Sequence, residues 1–159
     1  MTKKSSDKNI FISNRKATRN YQILERFESG IVLSGTEVKS IKQGHASIQE
    51  GYIQIDNNME AWLIGSTIQH YSHGNILNHK IDQERKLLLH KKEINRLAGK
   101  VKENGLTVIP LNLYELNGKI KLLIALGKGK DFTDKRENIK KRESERETQR
   151  IIKSYNQKK

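Results

Sequence analysis

Three basic side chains stand close together near the N-terminus, and they could contact a nucleic-acid backbone. Arg15, Lys16 and Arg19 follow Asn14 and precede the first long strand that the sequence predicts. Arg and Lys side chains bind phosphates and displace the counterions around them. Asn14 carries a donor and an acceptor, so it could contact a base or a sugar. The alternative is a solvated basic arm that binds nothing.

An acidic residue and an apolar residue could add recognition to phosphate binding. Because phosphate repels a carboxylate, Glu28 would be useful near RNA only as an acceptor for base amino groups or a ribose 2′-hydroxyl. The alternative for Glu28 is an ordinary surface ion pair with a lysine. In the leucine run 87–89, alternation places at most one face in a core. Leu88 could therefore stack on an unpaired base, with edge or core packing as the alternative.

The remaining reactive residue types form no pattern typical of an enzyme or a metal site. The chain has no cysteine, and the spacing of its histidines matches no zinc signature. No serine lies in a nucleophile context, and the carboxylate pairs have ordinary surface spacing. We therefore expect no catalytic residue, no metal, no cofactor and no small-molecule substrate.

The C-terminal segment 128–159 combines high charge with helix-forming patterns. It contains 12 Lys/Arg and 6 Asp/Glu, and too few large apolar residues to fold alone. Asp134 and Glu137 have capping-box spacing. A helix beginning there would carry one basic stripe, formed by Arg142, Arg146, Arg150 and Lys153. We expect a tail that is disordered in the free protein and becomes helical against a polyanion. The alternative is a solvated tail without a partner.

The net charge of +13 is concentrated at the two ends of the chain. Residues 1–20 carry a net +5, residues 21–127 a net +2 and residues 128–159 a net +6. This distribution is typical of a nucleic-acid-binding module with basic arms. A membrane partner is not expected, because no segment is apolar enough to span a bilayer or to lie in its interface. The absence of cysteine and of an apolar leader favours a cytoplasmic location.

Hydrophobic periodicity predicts about six short strands and two short helices between the charged ends. The strands are predicted over 21–33, 47–56, 59–68, 86–89, 106–116 and 119–126, and the helices over 35–43 and 91–104. Ser34 and Glu37 form a capping box before the first helix, and Gly44 and Gly105 suit the two helix ends. The long polar segment 72–84 is predicted to be a functional or mobile loop.

Turn residues predict how the strands connect. Asn117 and Gly118 predict a tight hairpin, and Pro110 predicts a bulge or an edge where the apolar phase shifts. A mainly β, antiparallel sheet of this size would close into a small barrel whose interior is filled, so ligands would bind outside it. We predict a flexible N-terminal arm over 1–12, a barrel over 13–127, a hinge at 127–129 and the basic tail over 128–159.

Five ordered segments resemble the bacterial SsrA-binding protein family, also called small protein B. They are NRKATRNY, GIVLSGTEVKSIKQGHA, RKLLLHKKEINRLAGKV, LTVIPLNLY and DKRENIKKRESER, and the resemblance runs over about residues 11–155. It implies an oligonucleotide-binding-type barrel with three flanking helices. It also implies binding to the tRNA-like domain of transfer-messenger RNA (tmRNA), whose alanyl form is taken to ribosomes stalled on messages without a stop codon.

The resemblance further implies which partners and residues are involved. The partners would be tmRNA, the ribosome at its decoding region and mRNA channel, and elongation factor Tu indirectly through alanyl-tmRNA. By position in the family motifs, the tmRNA-binding residues would be Asn14, Arg15, Lys16, Arg19, Glu28, Lys86, Leu88 and His90. The ribosome-binding tail would comprise Lys128, Lys130, Thr133, Asp134, Lys135, Arg136, Lys140, Lys141, Arg142, Arg146, Arg150, Ile151 and Ile152.

This chain departs from the family pattern at two of these positions. His90 stands where many members have Asn, and Thr133 where many have an aromatic residue or His, with Phe132 one position earlier.

Two other functions are also compatible with the residues. One is a ribosomal or RNA-chaperone protein with a similar barrel, and the other is a peptide-binding module whose tail binds an acidic protein.

Overall fold

The structure of the protein is a computed structural model that divides the chain into two compact units. It describes residues 8–74, 77–103, 105–130 and 132–157, with only the backbone described for 132–138. One unit ends at Gly129 and the other begins at Lys130.

The described part of the first unit is built around an antiparallel barrel. Its strands are β1 (Asn9–Ser13), β2 (Tyr21–Ile31), β3 (Ala46–Ser47), β4 (Tyr52–Ile55), β5 (Ala61–Ile64), β6 (Thr67–Ile68), β7 (Arg85–Leu88), β8 (Leu106–Leu116) and β9 (Lys119–Gly129). The ring runs β8–β4–β5–β7–β2–β9 and closes where β9 pairs with β8. Strand β1 adds to β8 outside this ring, and β3 pairs with β6. The predicted mainly β, antiparallel fold is confirmed.

The described helices are α1 (Ala17–Asn20), α2 (Gly35–Lys42), α3 (Lys91–Val101) and α4 (Phe132–Gln157). The predicted capping box of α2 is confirmed, because the Ser34 hydroxyl accepts from the Glu37 N–H and the Glu37 carboxylate accepts from the Ser34 N–H. Gly44 and Gly105, which follow α2 and α3, have φ angles of +77° and +80°. Glycine adopts this left-handed conformation without a Cβ clash, so Gly44 suits the end of α2, directly after the C-cap Gln43. Gly105 lies three residues beyond Lys102, the C-cap of α3, so it leads into β8 and does not cap that helix as predicted.

Apolar side chains fill the barrel interior. On β9 the alternating residues Ile120, Leu122, Ile124 and Leu126 are all buried. On β7, Leu87 is 2% exposed and its neighbour Leu88 is 55% exposed. Successive side chains of a strand point to opposite faces, so this strand contributes one leucine to the core and one to the outer surface.

Pairing details correct several boundaries. The bulge predicted at Pro110 is confirmed by a register shift between Pro110 and Asn112. The residues of the predicted hinge at 127–129 continue β9 and pair with β2 as far as Tyr21, so the boundary between the two units falls directly after them, at Gly129. The predicted arm over 1–12 overlaps a strand, since β1 begins at Asn9 and pairs with β8. The predicted strand over 47–56 is two strands, separated by a turn that Gly51 ends.

The second unit contains α4, whereas the sequence predicted a tail without fixed structure in the free protein. Its sequence is rich in Arg, Lys, Glu and Gln, which lose little rotamer freedom in a helix. Local propensity therefore favours a helix there even though few apolar residues are available for packing. Among the described residues, no helix is long and apolar enough to cross a membrane.

Candidate RNA interface

An open groove on the outside of the barrel brings together three of the predicted RNA-binding residues. Glu28 of β2, Leu88 of β7 and His90 at the start of α3 line it, with Lys121 of β9 along the same groove. Gly30 also lines this groove, and a Cβ atom at Gly30 would lie 3.0 Å from the Leu88 Cβ. A glycine at this position therefore lets the exposed Leu88 side chain lie close against β2.

The carboxylate of Glu28 is held in place by two partners. The buried Tyr114 hydroxyl donates a hydrogen bond to Glu28 Oε2, and Lys8 Nζ lies 3.5 Å from the same oxygen. Lys8 Nζ is also 4.9 Å from the centroid of the Tyr114 ring. Burial raises the pKa of Tyr114, and the hydrogen bond to Glu28 and its negative charge raise that pKa further. Tyr114 therefore stays protonated and remains a donor to Glu28.

Lys86 lies two residues before Leu88 on β7, so both side chains are on the outer face. Its Nζ is 3.0 Å from Glu60 Oε1, and both side chains are 39% exposed. An exposed pair of this kind is weak, so the Lys86 ammonium can exchange Glu60 for a phosphate at little cost.

The basic cluster around α1 is exposed, and the almost buried Asn14 lines a pocket beside Lys16. Arg15, Lys16 and Arg19 are exposed, and Lys16 Nζ lies 2.8 Å from Glu50 Oε1. Asn14 is 9% exposed, and its Nδ2 donates to the Pro110 carbonyl at 2.8 Å. The Nδ2 group of Asn14 thus holds the chain against β8, while its Oδ1 has no hydrogen-bond partner among the described residues. A contact from Asn14 to RNA stays a prediction.

The groove and the basic cluster lie at opposite ends of β2. Arg19 lies in α1 immediately before β2, whereas Glu28 is near the far end of that strand. The distance from Tyr21 to Glu28 along β2 is about 23 Å at about 3.3 Å per residue. The predicted tmRNA-binding residues therefore form two groups, one around the groove and one around α1.

The tail presents its described side chains to solvent. The basic residues Lys140, Lys141, Arg142, Arg146, Arg150 and Lys153 are exposed, as are the apolar residues Ile151, Ile152 and Tyr155. The spacing of the predicted stripe places four of these cations along one side of α4. Lys128 is exposed within β9 and Lys130 follows that strand. The side chains of Thr133, Asp134, Lys135 and Arg136 lie outside the described residues.

Sequence reasoning missed Tyr114 and Lys121, which could have been found from the hairpin. A two-residue Asn117-Gly118 turn fixes the pairing of the flanking strands, and that pairing places Tyr114 opposite Lys121. The contact between Tyr114 and Glu28 joins residues 86 positions apart, and no local signal indicates it.

A filled barrel, an external groove with an acceptor and an apolar platform, and exposed cations define a nucleic-acid-binding β-barrel protein. The model of the family described as SmpB protein matches residues 11–154. The chain belongs to this family.

Individual relatives agree with that assignment. The SsrA-binding protein of Protochlamydia amoebophila is 49% identical over 153 residues, which is 96% of this chain and 97% of the relative. The SsrA-binding protein of Oleidesulfovibrio alaskensis is 48% identical over 153 residues, covering 96% of this chain and 98% of the relative. A chain of the solved structure described as "tmRNA-SmpB: a journey to the center of the bacterial ribosome" is 39% identical, with a TM-score of 0.65 over 80% of this chain and 93% of that chain.

Proposed function

We propose that this chain is a nonenzymatic adaptor that binds the tRNA-like domain of tmRNA and delivers that RNA to stalled ribosomes for trans-translation. Membership of the SmpB protein family and similarity to a chain from a tmRNA-SmpB structure support this function. The single observation that supports binding of tmRNA by the barrel is the groove that Glu28, Leu88 and His90 line together.

The groove combines the contacts that an unpaired nucleotide needs. Leu88 offers an apolar surface for a base, and Lys121 offers a positive charge for its phosphate. Tyr114 and Lys8 both contact Glu28 Oε2, and no hydrogen bond to Oε1 is found among the described residues. Oε1 can therefore accept from a base amino group or a 2′-hydroxyl.

The α1 cluster and the tail supply positive charge for two further contacts, one with RNA phosphates and one with the ribosome. Arg15, Lys16 and Arg19 would position RNA phosphates without selecting bases. The exposed cationic stripe of α4 would enter the empty mRNA channel and contact the decoding region of the small subunit. Elongation factor Tu would be met only through alanyl-tmRNA, and the protein would act in the cytoplasm, where stalled ribosomes are found.

Binding of labelled tmRNA, measured by fluorescence anisotropy at several salt concentrations, tests the barrel's part. Leu88→Ala should weaken binding about fivefold by removing the platform for a base. Leu24→Ala is the matched control, because Leu24 is an exposed strand leucine on β2, 49% exposed against 55% for Leu88 on β7. Leu24→Ala should stay within about twofold of the wild type. Equal effects of the two substitutions would contradict a role for the groove, and equal binding to unstructured RNA would indicate a general RNA chaperone instead.

A further inference from the structure

A second cationic and aromatic surface lies on α2 and on the loop between β6 and β7. We define the loop surface as Lys39, His45, His70, Tyr71 and His73, which are exposed except for the half-buried Tyr71. The surrounding sequence contains no carboxylate in 38–49 or in 61–81. The lysines of these two segments are Lys39, Lys42 and Lys80. Lys42 Nζ lies 3.1 Å from Glu115 Oε1 and Lys80 Nζ 3.9 Å from Asp82 Oδ1, so Lys39 supplies the formal positive charge of the loop surface.

Tyr71 is at the centre of the loop surface. Lys39 Nζ lies 5.2 Å from the centroid of its ring, and the His73 ring meets it edge-on at 5.5 Å between centroids. Lys39 is exposed and can therefore exchange the ring for a phosphate. An aromatic ring surrounded by cationic and imidazole groups is the arrangement on which unpaired bases stack.

Local contacts fix the backbone that carries Tyr71. The Asn78 side chain donates to the Tyr71 carbonyl at 2.9 Å and accepts from the Tyr71 N–H at 3.3 Å. Gly74 lies directly beside this clamp, where a Cβ atom would be 2.6 Å from Asn78 Nδ2. At the start of the loop, Ser40 of α2 donates to the Gln69 carbonyl at 2.7 Å.

A buried ion pair holds the other end of the loop. Arg85 and Glu37 are each 1% exposed, and Arg85 Nε lies 2.8 Å from Glu37 Oε1. The Arg85 guanidinium also donates to the carbonyls of Lys80, Ile81 and Gln83. Burial by itself raises the pKa of Glu37, but hydrogen bonds from the Ser34 N–H, Arg85 and Gln83 lower it further than burial raises it.

This degree of fixation is unusual for a long connection that only joins two strands. Long loops in compact domains are mostly functional or mobile, and the described parts of this one are held at both ends. Burying a charged pair costs free energy unless its donors and acceptors are hydrogen-bonded. The bonds that satisfy the Arg85 guanidinium go to carbonyls of the loop, so the same bonds fix the loop. The surface is therefore pre-organised, which reduces the entropy lost when a ligand binds.

We propose that the loop surface is a second RNA-binding site, separate from the groove, which holds an RNA strand by its phosphates and stacks one unpaired base on Tyr71. The cation over the ring and the three histidines provide N–H donors for phosphate oxygens. An acidic peptide would satisfy the charge but not the ring, so RNA fits both properties. The RNA strand can belong to tmRNA or to the ribosome, because their backbone chemistry is the same.

The test uses the full chain and three probes, namely labelled tmRNA, vacant ribosomes and a mixed-sequence single-stranded RNA. Tyr71→Leu should weaken binding to at least one probe about tenfold, since it removes the stacking ring and keeps an apolar side chain. Lys39→Gln should reduce the salt slope for the same probe by about one. The matched controls are Tyr52→Leu, at an exposed tyrosine of β4, and Lys100→Gln, at a lysine of α3 that is 46% exposed. Circular dichroism and thermal unfolding establish that every variant is folded.

Each outcome decides the proposal. A loss for tmRNA alone assigns the surface to that RNA, and a loss for ribosomes alone assigns it to ribosomal RNA. If Tyr71→Leu and Lys39→Gln bind all three probes like their controls, the proposal is wrong. The wild type could bind neither tmRNA nor ribosomes, while the substitutions weaken binding only to the single-stranded RNA. The loop surface would then be an RNA-binding site, and the proposed delivery of tmRNA would be wrong.

Discussion

Removing the Tyr114 hydroxyl should weaken RNA binding through Glu28 while leaving the barrel folded. Tyr114→Phe keeps the buried ring and deletes only the group that donates to Glu28 Oε2. The carboxylate then keeps Lys8 as its partner on that oxygen, at 3.5 Å. We expect the orientation of the Glu28 carboxylate toward the groove to become less defined. RNA binding must then order the carboxylate, and the entropy lost in doing so weakens binding.

The size of this effect follows from the exposure of the pair. A hydrogen bond to a charged group contributes about 1.5 to 3 kcal/mol. The Glu28 side chain is 40% exposed, so water replaces part of the lost bond and the net loss should be about 1 kcal/mol. The free energy of unfolding should fall by about that amount, and the Kd for tmRNA should rise about fivefold.

A double-mutant cycle with Glu28→Ala separates positioning from general damage. Glu28→Ala raises the net charge above +13, which by long-range attraction alone would strengthen RNA binding. We expect weaker binding instead, because the acceptor is lost, and almost no further effect of Tyr114→Phe in the Glu28→Ala background. The assay is anisotropy of labelled tmRNA at one fixed salt concentration. Tighter binding by Glu28→Ala, or additive effects of the two substitutions, would refute the argument.

Three further predictions concern the stability of the barrel and the close approach of β2 and β7. Because the pKa of Tyr114 is raised in the folded protein, its contribution to stability is complete below about pH 10 and is lost as the pH rises above that value. The free energy of unfolding, measured with urea, should be lower at about pH 11 than at about pH 9 in the wild type. This decrease should be smaller in Tyr114→Phe. Arg85→Met should lower the free energy of unfolding by about 3 to 5 kcal/mol because Glu37 stays buried without its partner, and adding Glu37→Leu should recover part of that loss. Gly30→Ala should cost about 1 to 3 kcal/mol in the same assay and weaken tmRNA binding, because its Cβ would displace Leu88, and an unchanged unfolding curve would contradict the close approach of β2 and β7.

Local sequence patterns were sufficient for the elements whose cause is local. The capping box at Ser34 defines the start of α2, and the turn at Asn117 and Gly118 defines the β8–β9 hairpin. Pro110 has no N–H to donate, so the bulge in β8 could be located from the sequence. Leu88 could be placed outside the barrel because alternation leaves one face of β7 to solvent.

Properties that depend on distant pairing could not be predicted in this way. Gly127 and Gly129 are typical of a hinge, but pairing with β2 keeps them within β9. No local signal indicates that Asn14 Nδ2 donates to the Pro110 carbonyl of β8, 96 positions away. The pairing of Tyr114 with Glu28 likewise depends on the closed ring of strands, so the groove was predicted as separate residues and not as one site.

We expect the barrel to bind tmRNA by itself and the basic tail to be needed only on the ribosome. The most direct measurement compares the full chain with a chain lacking residues 134–159, using binding to free tmRNA and tagging of a stalled protein in a reconstituted translation reaction. We expect the shortened chain to bind tmRNA within about threefold of the full chain and to lose tagging completely, because the groove and the α1 cluster remain and the α4 stripe is gone. Parallel loss of tmRNA binding and tagging, or tagging that survives the deletion, would contradict it.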